Sequence, residues 1–441
     1  MNKKTENKAV SPWQWVPSLY FAQGIPYVVV MSVAVILFKR MGMSNTDIAL
    51  YTSGLNLPWV IKPLWSPLVD LLKTKRWWIV VMQILVGAGL AGIALTIPGP
   101  LAFRYCLAFM WLLAFSSATH DIAADGFYML GLNEKKQAYF VGIRNTFYRF
   151  AVIFGQGILV MFAGWLEQRY AREMPETAAI PQAWSLTFYL LTILFALLFV
   201  YHYLFLPHPR RDTCTLPPQQ ASAGRVFKEF LGTFTSFFQK KHIVSALIFI
   251  LLYRFAEAQL VKITSPFLLD TPATGGLALS TAEVGFIYGT IGVIALTIGG
   301  IVGGIAMARR GLKSCLWTMT IAMNLPNIVY LYLSFARPES IGIISGCVAI
   351  EQFGYGFGFT SLTYFMMLFS NGKHQTAHYA ICTGFMALGL MLPGMISGWI
   401  EESIGYRAFF VWIMLCTIPS FWATHLVRKN LTDNHSDNSS R

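Results

Sequence analysis

Long apolar runs separated by short polar turns make up most of the chain. A bilayer-spanning helix needs about 20 mostly apolar residues. Twelve segments meet that requirement: 15–38, 47–69, 77–97, 102–130, 141–166, 184–206, 242–268, 281–308, 314–336, 340–370, 375–400 and 406–427. Several exceed a minimal span and are expected to tilt or to extend beyond the lipid. The first segment follows a polar tail with Lys3, Lys4 and Lys8. It is longer than a signal-peptide core and has no small-residue cleavage site after it, so it reads as a retained helix. The pattern predicts an all-α polytopic membrane protein of twelve transmembrane helices.

The longest polar interruption divides those helices six and six. Residues 1–206 form a predicted N-terminal half and 242–427 a C-terminal half, with a linker at 207–241 and a polar tail at 428–441. Within the linker, Phe227, Phe230, Leu231, Phe234 and Phe237 recur at helical spacing opposite Arg225, Lys228 and Glu229. That predicts an amphipathic helix lying on anionic lipid.

Composition agrees with the pattern. Hydrophobic residues make up 55% and charged residues 12%, against about 25% charged in soluble domains; mean hydropathy is +0.54. A cytosolic enzyme, a disordered scaffold and a nucleic-acid binder are excluded despite the net charge of +13. The charge is a topology signal instead. With both termini in the cytoplasm, 22 Lys and Arg fall on inside segments and 7 outside, namely Lys39, Arg40, Arg104, Arg169, Arg172, Arg337 and Arg407. That asymmetry is the positive-inside pattern. The six cysteines are scattered without metal-ligand spacing, and no cofactor or metal is expected. Nor does any catalytic triad or phosphate loop point to an enzyme.

Each half places a basic cluster after its second helix. One reads Asp70-Leu71-Leu72-Lys73-Thr74-Lys75-Arg76 and the other Ala308-Arg309-Arg310-Gly311-Leu312-Lys313. Two six-helix halves with matched charged turns resemble the layout of the major facilitator superfamily. Such folds bind a small molecule near the midplane between the halves and alternate access by rocking. Asp70 and Arg76 would then belong to a gating turn. Where that superfamily usually has Gly four residues before its Asp, this chain has Ser66. Glycines four apart, at 285 and 289, 299 and 303, 300 and 304, and 394 and 398, predict close helix packing.

Ionisable residues within membrane helices cost about 2.5–3.5 kcal/mol each on insertion scales and so require a reason. Eight stand out: Lys62, Asp121, Asp125, Arg149, Arg254, Glu257, Lys262 and Glu351. Four acids and four bases can fix packing as ion pairs, or line a cavity for a charged solute or protons. Asp121 and Asp125 share one helix face. Two carboxylates so close repel when both are ionised, and one shared proton relieves the repulsion. Asn145, Arg149 and Gln156 form a polar stripe on the next helix, at a depth that suits an Arg149–Asp125 contact. Arg254 and Glu257 are spaced to pair, Lys262 points elsewhere, and Tyr20 and Gln23 share a face.

Three stretches carry a narrower resemblance. They are Leu19-Tyr20-Phe21-Ala22-Gln23-Gly24-Ile25-Pro26, Lys62-Pro63-Leu64-Trp65-Ser66-Pro67-Leu68-Val69-Asp70, and Ser116-Ser117-Ala118-Thr119-His120-Asp121-Ile122-Ala123-Ala124-Asp125-Gly126. Together with Arg149-Phe150, they resemble the AmpG family of muropeptide permeases over about residues 17–165. The resemblance implies a monomeric carrier in the bacterial inner membrane, driven by protons. It would import N-acetylglucosaminyl-anhydro-N-acetylmuramic acid, with or without peptide, for peptidoglycan recycling. Asp121 and Asp125 would carry or organise the coupling proton. Tyr20, Gln23, Lys62, His120, Arg149, Gln156, Arg254, Glu257 and Glu351 are the cavity candidates. His120 stands where that family often has Gln. Two alternatives remain on the sequence: a carrier of another solute such as a sugar, peptide or acyl-CoA, and a non-transporting membrane chaperone or sensor.

Overall fold

The computed structural model describes residues 11–209, 212, 232, 234–371 and 375–438, and every regular element among them is a helix. The helix α1 (Pro12–Val28) passes through a wide turn, Val29–Val33, into α2 (Ala34–Arg40). Next come α3 (Asn45–Gly54), α4 (Leu57–Leu72), α5 (Lys75–Thr96), α6 (Ala102–Gly131) and α7 (Glu134–Val152). A second wide turn, Ile153–Ile158, leads to α8 (Leu159–Tyr170) and then α9 (Glu176–Phe205). Later in the chain are α10 (Ile243–Leu252), α11 (Phe255–Leu269), α12 (Thr281–Val284), a wide turn at Gly285–Gly292, α13 (Val293–Asn324), α14 (Ile328–Ala336), α15 (Ile341–Phe369), α16 (Gln375–Leu415) and α17 (Ile418–Asn438).

Among the described residues, eight helical stretches are long and apolar enough to cross a membrane. Two of them, Thr281–Ala336 and His378–Asn430, have 56 and 53 residues. At 1.5 Å per residue each would reach about 80 Å, far beyond a hydrocarbon core of about 30 Å. Each contains one backbone reversal, at Gly311 (φ 72°) and Gly405 (φ 77°). A side chain would disfavour that conformation, which glycine adopts freely. The chain therefore turns back at the two places where the sequence ends one apolar segment and starts another. With α3–α4 and α15, all twelve predicted segments are helical.

Two predicted segments are broken rather than continuous. Segment 47–69 interrupts at Leu55-Asn56, where Pro58 occupies the first turn of α4 and so loses no hydrogen bond. Asn56 Nδ2 donates to Ser53 O at 3.0 Å across the break. Segment 242–268 interrupts at Tyr253-Arg254, and Arg254 has φ −106° and ψ 21°.

Apolar residues cover both the inside and the outside of these helices. On α9, Phe188, Leu191 and Phe195 are buried, while Leu190, Ile193, Leu197 and Leu204 are exposed. A helix that is apolar all round suits lipid, not water.

The contacts gather the described chain into two compact units, one of residues 11–28, 65–152 and 185–212, the other of 29–64, 153–184 and 232–438. In the first, α1 packs against α6 and α7, and α5 against α6. Trp15, Leu19, Ile79, Phe127 and Leu206 are in its core. In the second, α13 packs on α15 and α3 on α16. A Cβ on Gly398 would lie 1.9 Å from Asn45 O, and one on Gly299 2.1 Å from Phe353 O. The predicted small-residue packing holds at these positions, whereas Gly304 faces open space. Most of the predicted linker helix lies outside the described residues. Of its apolar positions, Phe234 and Phe237 are described, and both pack against the core of the second unit instead of facing outward.

Candidate functional site

The first unit contains a charged cluster built by α1, α6 and α7. Tyr20 and Gln23 lie one turn apart on α1, and Asp121 and Asp125 one turn apart on α6, so the two pairs meet in register. Tyr20 Oη donates to Asp125 Oδ1 at 3.1 Å. Gln23 Nε2 donates to Asp121 Oδ1. The cation here is Arg144, whose Nη1 lies 3.3 Å from Asp125 Oδ1 and 3.1 Å from the Tyr20 hydroxyl. Its guanidinium also covers the rings of Tyr20 and Tyr128, at 4.6 and 5.2 Å, a favourable arrangement for a planar cation. The Asp125 side chain keeps 39% of its exposure and Arg144 27%, so the ion pair can still meet a solute.

This corrects the expected Arg149–Asp125 contact. Arg149 sits half-buried further along α7, and Arg144 takes the partner role. Arg144 is one of the 22 inside cations of the topology count, taken together with Lys135 and Lys136, but α7 begins at Glu134 and carries it into the bundle. The missing signal was the tyrosine pair on neighbouring helices that could receive a guanidinium.

Among the described residues, His120 hydrogen-bonds to neither aspartate. It belongs to a buried polar chain in which Gln83 lies 3.2 Å from His120 Nε2 and 2.8 Å from His202 Nδ1. His202 Nε2 meets Ser18 Oγ at 3.0 Å. Arg76 donates from Nη2 to Tyr203 O at 2.5 Å and from Nε to Leu206 O at 3.2 Å, closing the C-terminal end of α9. The Asp70 side chain lies outside what is described, and with it the predicted gating pair.

The second unit contains a different arrangement. Glu351, on α15, accepts at Oε2 from Tyr330 Oη at 3.1 Å and from Gln352 Nε2 at 2.9 Å. Glu257, on α11, is within electrostatic range of Glu351. The two are 3% and 1% exposed. Arg254 does not pair with Glu257 as its spacing suggested. It precedes the first turn of α11, donates from Nη2 to Tyr355 Oη, and lies over the Tyr355 and Phe359 rings. Lys262 is buried and donates to Thr52 Oγ1 at 3.2 Å. Gln156 is buried in the wide turn 153–158, its carbonyl against Gly289. Lys62 is half-buried on α4.

A further set of charges in this unit, unforeseen in the sequence, ties its elements together. Glu167 accepts from Arg40 Nε at 3.1 Å, Trp184 Nε1 at 2.7 Å and Thr281 Oγ1 at 2.7 Å. Lys39 pairs with Asp270 at 2.7 Å, and Asn45 donates to Glu401 at 2.6 Å and to Tyr406 at 2.8 Å.

Apolar helices around buried charged groups are the architecture of a polytopic membrane protein. The sequence model of the major facilitator superfamily matches residues 18–377, and the chain belongs to that superfamily. It is similar to the anhydromuropeptide permease of Escherichia coli, 24% identical over 94% of this chain and 79% of that one. A Rickettsia conorii relative named for AmpG is 25% identical over 92% of this chain and 93% of its own. Among solved structures, the nucleoside transporter NupG superposes with a TM-score of 0.68 at 14% identity, covering 94% of this chain and 98% of that one. A D-xylose–proton symporter gives 0.69 at 12% identity, covering 94% and 96%.

Proposed function

We propose that this protein imports anhydro-muropeptides across a bacterial inner membrane, driven by the proton gradient, with both termini in the cytoplasm. The reading rests on similarity to the Escherichia coli anhydromuropeptide permease along nearly the whole chain. The structural neighbours named for nucleosides and xylose share the fold alone and do not choose the cargo. What supports the cargo chemically is the mixture in the first unit. An anhydro-muropeptide offers hydroxyls, amides and a carboxylate. Asp121 and Asp125 can accept from hydroxyl and amide donors, and Arg144 can take a carboxylate in two-pronged fashion. In this reading Asp121 and Asp125 organise the coupled site, and the 22-to-7 distribution of Lys and Arg sets the orientation.

The test is uptake of labelled N-acetylglucosaminyl-anhydro-N-acetylmuramic acid into energised vesicles. Accumulation should collapse with a protonophore and should be competed by unlabelled disaccharide but not by xylose or a nucleoside. Accumulation of a nucleoside or xylose in its place would move the cargo assignment to that solute.

A further inference from the structure

The transport reading leaves unused a cavity of about 300 Å³ in the second unit, where the start of α10 meets α15 and α17. One side of it is polar, with Lys241, His242 and Asn430, and the other apolar, with Phe365, Leu368 and Val427. Segments 240–246 and 425–430 carry Lys240, Lys241, Arg428 and Lys429, and neither they nor 365–371 contain an acid. Lys241, Arg428 and Lys429 are exposed. Cations gathered in this way repel one another and attract an anion.

The polar side is built by fixed contacts. Lys240 Nζ donates to Phe369 O at 2.6 Å and to Asn371 O at 2.8 Å, fastening the entry of α10 to the end of α15. Asn430 Nδ2 donates to Ser245 Oγ at 2.7 Å, and Ser245 Oγ donates to His242 O at 2.9 Å, joining α17 to α10. Between these two fastenings, His242 has φ 62° and ψ 24°, a left-handed conformation that few residues other than glycine adopt. Its Nε2 is buried and meets no partner among the described residues. A buried ring nitrogen left unmet costs stability, which an acceptor from a ligand restores.

The apolar side decides what kind of anion fits. Leu368 and Val244, the latter between His242 and Ser245 on α10, are 45% and 67% exposed. The apolar stretch Ile243–Leu269 starts at the cavity and the stretch His378–Asn430 ends at it, which puts the cations at the depth of lipid phosphates. A free phosphate has no use for an apolar wall at that depth, whereas a phospholipid brings an acyl chain to cover it.

We propose that this cavity binds an anionic phospholipid, its phosphate held by His242 and Lys241 and an acyl chain lying along Leu368 and Val244. The phosphate oxygens accept from His242 Nε2 and from the Lys241 ammonium, and Arg428 and Lys429 add attraction at longer range. The lipid then bridges helices that Lys240 and Asn430 already tie together. In the orientation proposed above it belongs to the cytoplasmic leaflet; that assignment rests on the transport reading, and the binding does not.

The test reads binding directly, without cargo, on purified full-length protein in a neutral detergent. Phosphatidylglycerol, phosphatidylcholine and inorganic phosphate are titrated in turn, with native mass spectrometry to count what is retained. Phosphatidylglycerol should bind, and the other two should not at the same concentration. Lys241→Gln combined with His242→Gln should weaken its binding at least about fivefold, the effect of one cation beside an anionic headgroup. Arg104→Gln, an exposed cation on α6, should leave it unchanged. If the double variant does not fold, Lys429→Gln must still weaken binding, and unchanged affinity there counts against the site. Equal retention of phosphatidylcholine, an equal loss in Arg104→Gln or unchanged binding in the double variant would each overturn the proposal. Inorganic phosphate binding as tightly as the lipid would also overturn it, in favour of a soluble anion.

Discussion

The two acidic pairs of this protein look alike on a list of residues and are opposites in their surroundings. Asp121 and Asp125 are each met by a donor from α1, Asp125 also by the guanidinium of Arg144. Glu257 and Glu351 are more deeply buried and, among the described residues, have no ion-pair partner and one orphan oxygen each. Burial alone does not give a carboxylate a task; what decides is whether its negative charge is answered. An answered charge is ready to exchange partners with a polar solute. An unanswered one is ready to accept a proton. Nature and number of partners thus separate the two acidic pairs.

The largest effect expected from this contrast concerns the ion pair. Asp125→Asn keeps an acceptor for Tyr20 but removes the charge that faces Arg144, and Arg144→Gln removes the cation. Each should lower vesicle uptake at least about tenfold, about 1.4 kcal/mol, with normal abundance in the membrane. The double variant should be no worse than the poorer single one, because contacting residues are not additive. Arg149→Gln should leave uptake within about twofold, since Asp125 has its arginine in Arg144. Full additivity of the two losses would show that the pair does not act as a unit.

Much of this site was visible in the sequence. The spacing of Tyr20 and Gln23 and of Asp121 and Asp125 follows helical geometry, and α1 and α6 are regular where those residues sit. Spacing misled where regularity failed. Arg254 and Glu257 are three apart, but the helix breaks at Tyr253-Arg254, so Arg254 has no helical face and turns to Tyr355. Charge counting misled at Arg144, because a cation near a helix start is counted with the turn whether or not the helix carries it inward. The ties of Glu167 to Arg40, Trp184 and Thr281 join elements remote in sequence, and nothing local in the chain announces them.

Glu167 sharpens the comparison from the structural side. It is a buried acid whose charge is fully answered and which lies apart from both acidic pairs in sequence and partners. Glu167→Gln weakens charge-assisted hydrogen bonds worth about 2 kcal/mol. The expected result is a melting temperature lower by several degrees and less protein in the membrane, with uptake per folded molecule unchanged. A variant that melts normally but fails to transport would move Glu167 from the scaffold to the working parts.

The smallest effect is expected at His120, although it adjoins Asp121 in the chain and titrates near neutrality in free solution. Its ring is buried, and Nε2 faces Gln83 while Nδ1 meets no partner among the described residues. Neither nitrogen meets a carboxylate. The chain of His120, Gln83, His202 and Ser18 can be satisfied by neutral groups throughout, with the tautomers chosen by the amide between the rings. His120→Gln replaces one neutral donor–acceptor with another that can still reach Gln83. The cost should be no more than about 1 kcal/mol of stability, and the pH profile of uptake should not move. A profile that shifts in His120→Gln would mean that the imidazole exchanges a proton during transport. The line drawn here between answered and unanswered charges would then have to include a third group.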